Sequence, residues 1–231
     1  MKPFIVAIDG PAGAGKSTVA RLTAEKVGFM YIDTGAMYRA VGLHFLQDGI
    51  DTKACDDATI SEAIKPLRIV LTQKGNEQRV LLNGEDVTTA IRTPEASKDA
   101  SLVSALPAVR DFVDLMTRQL TQNSAESGFV IEGRDTGTTI FPHAQLKIYL
   151  DAAPEIRATR RFDELLARGA DPDYESVLKD VIDRDFRDMH RAVSPLRKAD
   201  DAVLVDCGGI GIFEVVDAVT KLIKNCRSVN V

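Results

Sequence analysis

Short apolar runs at Phe4–Ile8, Phe29–Ile32, Phe129–Ile131, Leu146–Leu150 and Ala202–Val205 alternate with stretches whose apolar residues recur at helical spacing. Runs without in-and-out alternation suit strands buried on both faces, so the pattern predicts five parallel strands in a sheet flanked by helices, an α/β chain. The pattern breaks between the second and third runs. There Leu67–Leu71 and Arg79–Leu82 flank Lys74-Gly75-Asn76-Glu77, a hairpin signal. An antiparallel piece does not belong in a parallel sheet, so it marks an insert at residues 64–106, with Pro94 near the start of one helix and Pro107 opening another. A second excursion, 154–196, holds two strongly charged helices, Pro154–Arg168 and Tyr174–His190, separated by Gly169-Ala170-Asp171-Pro172. A polar helical pair between core strands predicts a lid. The division expected is therefore core over 1–63, 107–153 and 197–231, insert over 64–106 and lid over 154–196.

Composition narrows the function classes. With 231 residues and 45% hydrophobic content the chain can bury a full core. A net charge of −5 argues against a nucleic-acid or membrane-surface partner, which needs a basic face. Cys55, Cys207 and Cys226 are odd in number, widely spaced and free of any C-x-x-C, which points away from a disulfide framework or zinc site and toward a reducing cytoplasm. Met1-Lys2-Pro3 leads into the first strand without a signal-peptide pattern, and no apolar run nears the ~18 residues of a membrane-spanning helix.

Directly behind the first apolar run stands Gly10-Pro11-Ala12-Gly13-Ala14-Gly15-Lys16-Ser17, which satisfies G-x-x-x-x-G-K-[ST] in a strand, loop, helix context. Three glycines let the backbone curl its N–H groups inward, Lys16 reaches β- and γ-phosphates, Ser17 is placed for Mg²⁺, and the helix Ser17–Val27 presents its positive dipole end. The dinucleotide fingerprint fails, because Thr18 stands where a third glycine is needed.

Two more strand ends carry polar clusters. The second continues into Asp33-Thr34-Gly35-Ala36-Met37-Tyr38-Arg39, where Thr34 reads equally as a helix N-cap. The third continues into Glu132-Gly133-Arg134-Asp135, where Glu132 can orient Mg²⁺ through water, Arg134 can hold an anion and Asp135 can accept hydrogen bonds; an internal ion network is the alternative. The lid helices carry Arg157, Arg160 and Arg161, then Arg184, Arg187 and Arg191, at spacings that share a face. Alone they read as a solvated, salt-bridged face; beside a phosphate loop they read as charge for phosphoryl transfer. His44, His143 and His190 are dispersed and suggest no triad or metal cluster.

These blocks, with Gly84-Glu85-Asp86-Val87, Ile91-Arg92, Gly133–Thr138, Arg184–Asp188 and Arg191–Leu196, resemble the bacterial cytidylate (CMP) kinases over nearly the whole chain. The resemblance implies a P-loop NTPase fold with an inserted nucleoside-monophosphate-binding subdomain and a helical lid, and transfer of the γ-phosphoryl group of MgATP to CMP or dCMP by a cytoplasmic monomer. By matching position it gives ATP to Gly10–Thr18 with Arg157, Arg160 and Arg161, and the acceptor phosphate to Arg39 and Arg134 with Tyr38 nearby. Thr34, Arg110, Asp135 and Arg191 would frame the cytosine, and Ser101, Arg184 and Asp188 the ribose. The reaction would rest on Lys16, Arg134, Arg184 and Arg191, with Ser17 and Glu132 on the metal side. Thr34 stands where several relatives have serine, Glu132 where several have aspartate, and Met189 where some have arginine. Kinases of other small acceptors, such as UMP, AMP or shikimate, and a regulatory nucleotide switch are the rival readings.

Overall fold

A computed structural model describes residues 2–52, 54–74 and 77–229. The five apolar runs become β1 (Phe4–Asp9), β2 (Met30–Asp33), β6 (Gly128–Glu132), β7 (Leu146–Asp151) and β8 (Val203–Asp206), ordered β2-β6-β1-β7-β8 in one sheet. β1 pairs in parallel with β6 and with β7, and β7 in parallel with β8. Every residue of β6 is buried, as the uninterrupted apolar run requires. β3 (Ile69–Lys74) and β4 (Glu77–Leu82) form the expected antiparallel hairpin, extended by β5 (Glu85–Asp86); its turn residues Gly75 and Asn76 lie outside the described residues.

The helices are α1 (Lys16–Val27), α2 (Thr34–Gln47), α3 (Asp57–Ile64), α4 (Pro94–Val103), α5 (Pro107–Gln122), α6 (Pro154–Ala167), α7 (Tyr174–His190) and α8 (Ile212–Val229). The chain divides into two compact units, one of residues 1–3 with 31–126 and the other of 4–30 with 127–231, a boundary falling inside β2.

The first unit holds the three-stranded sheet with α2 to α5. Here α4 packs closely on α2 because Gly42 leaves room: a Cβ there would lie 3.2 Å from the Cβ of Asp99. Gln78, buried on β4, donates to the carbonyl of Tyr31 at 2.7 Å and accepts from the backbone N–H of Asp33 at 3.3 Å, tying the hairpin to the start of α2. The second unit packs α1 on α8 and on β6. It also carries α6 and α7 as a pair zipped by Ala158, Val177 and Val181 with Phe162, Leu165, Tyr174 and Leu178. The apolar stripe that joins these two charged helices is therefore as real as their polar face. Among the described residues no helix is long and apolar enough to cross a membrane.

Candidate functional site

The phosphate loop forms as its glycines demand. Gly10, Gly13 and Gly15 have φ of 149°, 76° and 88°, and a Cβ at Gly10 would stand 2.0 Å from the carbonyl oxygen of Leu150, so no other residue fits there. Gly15 is the N-cap of α1 and supplies no side-chain cap, which leaves the first N–H groups of the helix for a ligand. Ser17 and Thr18 are exposed on that first turn.

Lys16 is buried at the first position of α1. It is 5% exposed, and its Nζ donates to the carbonyl of Pro11 at 2.7 Å. Burial, reinforced by the charges of Arg134 and Arg184 and opposed by Glu132 and Asp188, lowers its pKa to about 7. The loop thus carries a poorly solvated ammonium whose charge an incoming anion would favour.

The segment after β6 supplies the next groups. Gly133 donates its N–H to Ile8 at 3.0 Å, and Glu132 is buried at the strand end. Arg134 Nε donates to Asp188 Oδ2 at 2.9 Å; burial opposes the guanidinium charge, and Asp188, Glu132 and Asp185 outweigh it, so the Arg134 pKa rises. Asp188, 4% exposed, is pushed upward by burial and more strongly downward by Arg134, Arg184 and Arg191, and stays ionised. Arg191 Nη2 donates to Asp135 Oδ1 at 3.2 Å and its Nε to the carbonyl of Ser194 at 2.7 Å. The segment after β6 and the C-terminal end of α7 are thus joined by two ion pairs, Arg134–Asp188 and Asp135–Arg191, with Arg184 half-buried on α7.

The α6 arginines divide into three roles by environment. Arg157 is 3% exposed: Nε donates to the carbonyl of Ala152 at 2.7 Å, and Nη1 to the phosphate-loop carbonyl of Ala12 at 3.0 Å and to Asp185 Oδ2 at 2.6 Å. Arg160 donates to the carbonyl of Cys207, whose Sγ lies 3.0 Å from the carbonyl oxygens of both Ala14 and Asp151, either of which can accept its one S–H. Arg161 pairs with Glu164 at the surface, at 2.8 Å. The charges of Arg157 and Arg191 are offset by the carboxylates set among them, Asp185 and Asp135.

The first unit gathers another set. Thr34 is buried as the first residue of α2, but the cap is Asp33, which accepts from Ala36 N–H at 3.0 Å and from Arg39 Nη2 at 2.7 Å. Asp33 wins because its longer carboxylate caps the helix and pairs with Arg39 at once. Arg110, on α5 and 2% exposed, donates to the carbonyl of Ser104 at 3.1 Å and lies 5.6 Å above the Tyr38 ring. Among the described residues, Ser101 on α4 holds a buried Oγ with no hydrogen-bond partner, and Arg39 Nε is in the same condition. Buried polar atoms left open are uncommon and mark places where a ligand can complete the bonding.

Asp9, Gln78, Asp185 and Cys207 belong to the surroundings of these groups although no motif position singled them out. Asp9 and Cys207 could have been suspected only from their place next to a loop, Asp185 lies inside the Arg184–Asp188 block without having been given a role, and Gln78 carries no local signal.

The residue types fit MgATP. Among the described residues no group of three or more His, Cys, Asp or Glu could hold a metal by itself. Mg²⁺ suits such a site, because it is held by few protein oxygens together with substrate phosphates, and the exposed Ser17 hydroxyl and buried Glu132 carboxylate are oxygens of that kind.

Comparison with known proteins agrees with the geometry. A family model described as cytidylate kinase matches residues 6–225. Cytidylate kinase from Carboxydothermus hydrogenoformans is 46% identical over 94% of this chain and 96% of that protein. The one from Ligilactobacillus salivarius is 45% identical over 97% and 98%, and the one from Bacillus subtilis 43% identical over 96% and 97%. The solved structure of an uncharacterized protein from Eubacterium ventriosum shares the fold, with a TM-score of 0.52 at 14% identity over 96% of this chain and 98% of that one. A phosphate loop, an arginine-rich helical pair and a match from residue 6 to residue 225 lead to one conclusion: the chain belongs to the cytidylate kinase family.

Proposed function

We propose that this protein transfers the γ-phosphoryl group of MgATP to the 5′-phosphate of CMP or dCMP, giving ADP and CDP or dCDP, by direct in-line attack. The observation that carries the reading is the phosphate loop with its uncapped helix N-terminus and the buried Lys16 ammonium beside Arg134. The acceptor phosphate is already ionised at neutral pH, so no strong general base is needed and the work left is positioning and charge stabilisation.

Lys16 and the first N–H groups of α1 are assigned to the donor phosphates. Arg134, Arg184 and Arg191 carry the charge that spreads over the transferring group, a task for which arginine's rigid fork is suited. Each already faces carboxylates, so bound phosphate competes with Asp188 and Asp135 for their guanidinium groups. Mg²⁺, held by Ser17, by Glu132 through water and by the phosphates, would neutralise charge on the donor. In the first unit, Arg39 is assigned to the acceptor phosphate, Ser101 to the ribose, and Thr34 and Arg110 to the cytosine, with Tyr38 holding Arg110 from below its plane. Cytosine presents an N4 donor beside N3 and O2 acceptors, for which a guanidinium and a carboxylate such as Asp135 are complementary. The protein is proposed to act as a cytoplasmic monomer.

The test is an ADP-release assay across CMP, dCMP, UMP, AMP and GMP. Strong turnover with the cytidine nucleotides alone supports the reading. Equal turnover with AMP would sink the base assignment, and ATP hydrolysis indifferent to any acceptor would favour a nucleotide switch.

A further inference from the structure

Asp9 is the last residue of β1, directly before Gly10 of the phosphate loop, and it is 4% exposed. Its two oxygens have separate tasks. Oδ1 accepts the backbone N–H of Thr136 at 2.8 Å, and Oδ2 that of Gly137 at 2.7 Å. These two residues open the single wide turn of π-helix, Thr136–Ile140, that follows Arg134 and Asp135. The contact spans 127 positions in sequence.

The turn is shaped for this clamp. A Cβ on Gly137 would stand 3.3 Å from Asp9 Oδ2 and 3.2 Å from Lys147 Cδ, so a side chain there must press on the carboxylate or on the lysine stem. The clamp also carries a cost. Burial, with the nearby charge of Asp135, raises the Asp9 pKa to about 6 against the lowering effect of the two N–H bonds. An isolated carboxylate is seldom kept in such a place unless its bonds fix something.

We infer that Asp9 is a positioning residue for phosphoryl transfer: by holding Thr136 and Gly137 it fixes Arg134 and Asp135 relative to the first residue of the phosphate loop. The inference rests on the proposed function for its consequence, since Arg134 and Asp135 are there assigned to the acceptor. It concerns a residue that touches no substrate. Pairwise contacts transmit the effect: Arg134 is bonded to Asp188 and Asp135 to Arg191, so loosening the turn loosens the second lid helix at two points. A polar residue of the same shape cannot replace the carboxylate. Asparagine offers one acceptor oxygen and turns an N–H₂ donor toward the second backbone N–H.

The test uses the full chain carrying Asp9→Asn, with steady-state kinetics in each substrate and amide hydrogen exchange over residues 133–140. Exchange at Thr136 and Gly137 should quicken by about tenfold or more, and the KM for CMP should rise by a similar factor, the scale of one buried N–H left without an acceptor. The KM for ATP should move less than about twofold, because the α1 N-terminus keeps its own geometry. Gly137→Ala displaces the carboxylate while keeping its charge, and should show the same split in KM; it carries the test if Asp9→Asn does not fold. Unchanged exchange at Thr136 and Gly137, or equal rises in both KM values, would overturn the inference. If the unaltered protein fails to phosphorylate CMP, the proposed function falls instead, while quickened exchange in Asp9→Asn still upholds the clamp.

Discussion

The two units handle buried polarity differently. In the unit of residues 4–30 and 127–231, charges that would meet phosphates are tied to opposite charges: Arg157 to Asp185, Arg134 to Asp188 and Arg191 to Asp135. In the unit of residues 31–126, Arg39 pairs with Asp33, buried Arg110 donates to a carbonyl and lies over an aromatic face, and Ser101 Oγ has no hydrogen-bond partner among the described residues. An ion pair desolvated on both sides is costly and stays only where geometry is good, and it pre-places guanidinium groups that a phosphate can capture by displacing a carboxylate. Neutral contacts and an open hydroxyl instead suit a ligand recognised by hydrogen bonds to a base and a sugar. The second unit is arranged for charge, and the first adds to its Arg39–Asp33 pair groups suited to a base and a sugar.

Breaking the charged arrangement at the buried Arg157–Asp185 pair should have the largest effect. Asp185→Ala leaves Arg157, 3% exposed, without its carboxylate, and should cost about 3–5 kcal/mol of stability, read as a fall in the denaturant midpoint. A loss below about 1 kcal/mol would show that the carbonyls of Ala12 and Ala152 suffice for Arg157.

Lys16→Met separates function from stability in the same unit. Turnover should drop at least ~10²-fold, as for loss of one preorganised charge donor. The apo protein should melt no lower than the unaltered one at pH 7, because a buried charge is removed. The sign follows from linkage: with the folded pKa lowered to about 7 from 10.5, the unfolded chain binds more protons between those values, so this lysine makes stability rise with pH across that window. The variant should lose that rise, and a melt at pH 7 and pH 9 checks it.

Arg110→Met probes the unit of residues 31–126. The KM for CMP should rise by about 10- to 100-fold, from ~1–3 kcal/mol of lost bonding, with the KM for ATP unchanged. Parallel weakening of both substrates would make Arg110 a packing residue. The smallest effect belongs to Arg161→Ala. Its i, i+3 pair with Glu164 is exposed enough that stability should shift by under ~0.5 kcal/mol, so a rise of a fewfold in the KM for ATP would report contact with the donor directly.

How much of this was legible from residues alone varies with the distance over which each feature is decided. Gly10–Ser17 was readable because a phosphate loop is a local device: eight consecutive residues fix the backbone curl, the charge and the helix start. The strands were readable because burial on both faces leaves an unbroken apolar run, and the hairpin because Leu67–Leu71 and Arg79–Leu82 flank a turn. The capping of α2 by Asp33 rather than Thr34 was local too, yet it was settled by Arg39 reaching back to the same carboxylate.

The sequence by itself therefore determined the alternation of elements, the phosphate loop and the supply of arginines, since each is written in spacing and residue type. Tertiary structure alone decided what those residues became. Lys16 is a buried ammonium rather than a solvated one because α1 starts against Glu132, Arg134 and Arg184, none of them a neighbour in sequence. Arg157 braces the phosphate loop through Ala12 instead of standing free on a charged helix face. Asp9 clamps a turn 127 residues away. Solvation, partnering and pKa are properties of what surrounds a group, and in this chain the surroundings are assembled from strand ends and helices that only folding brings together.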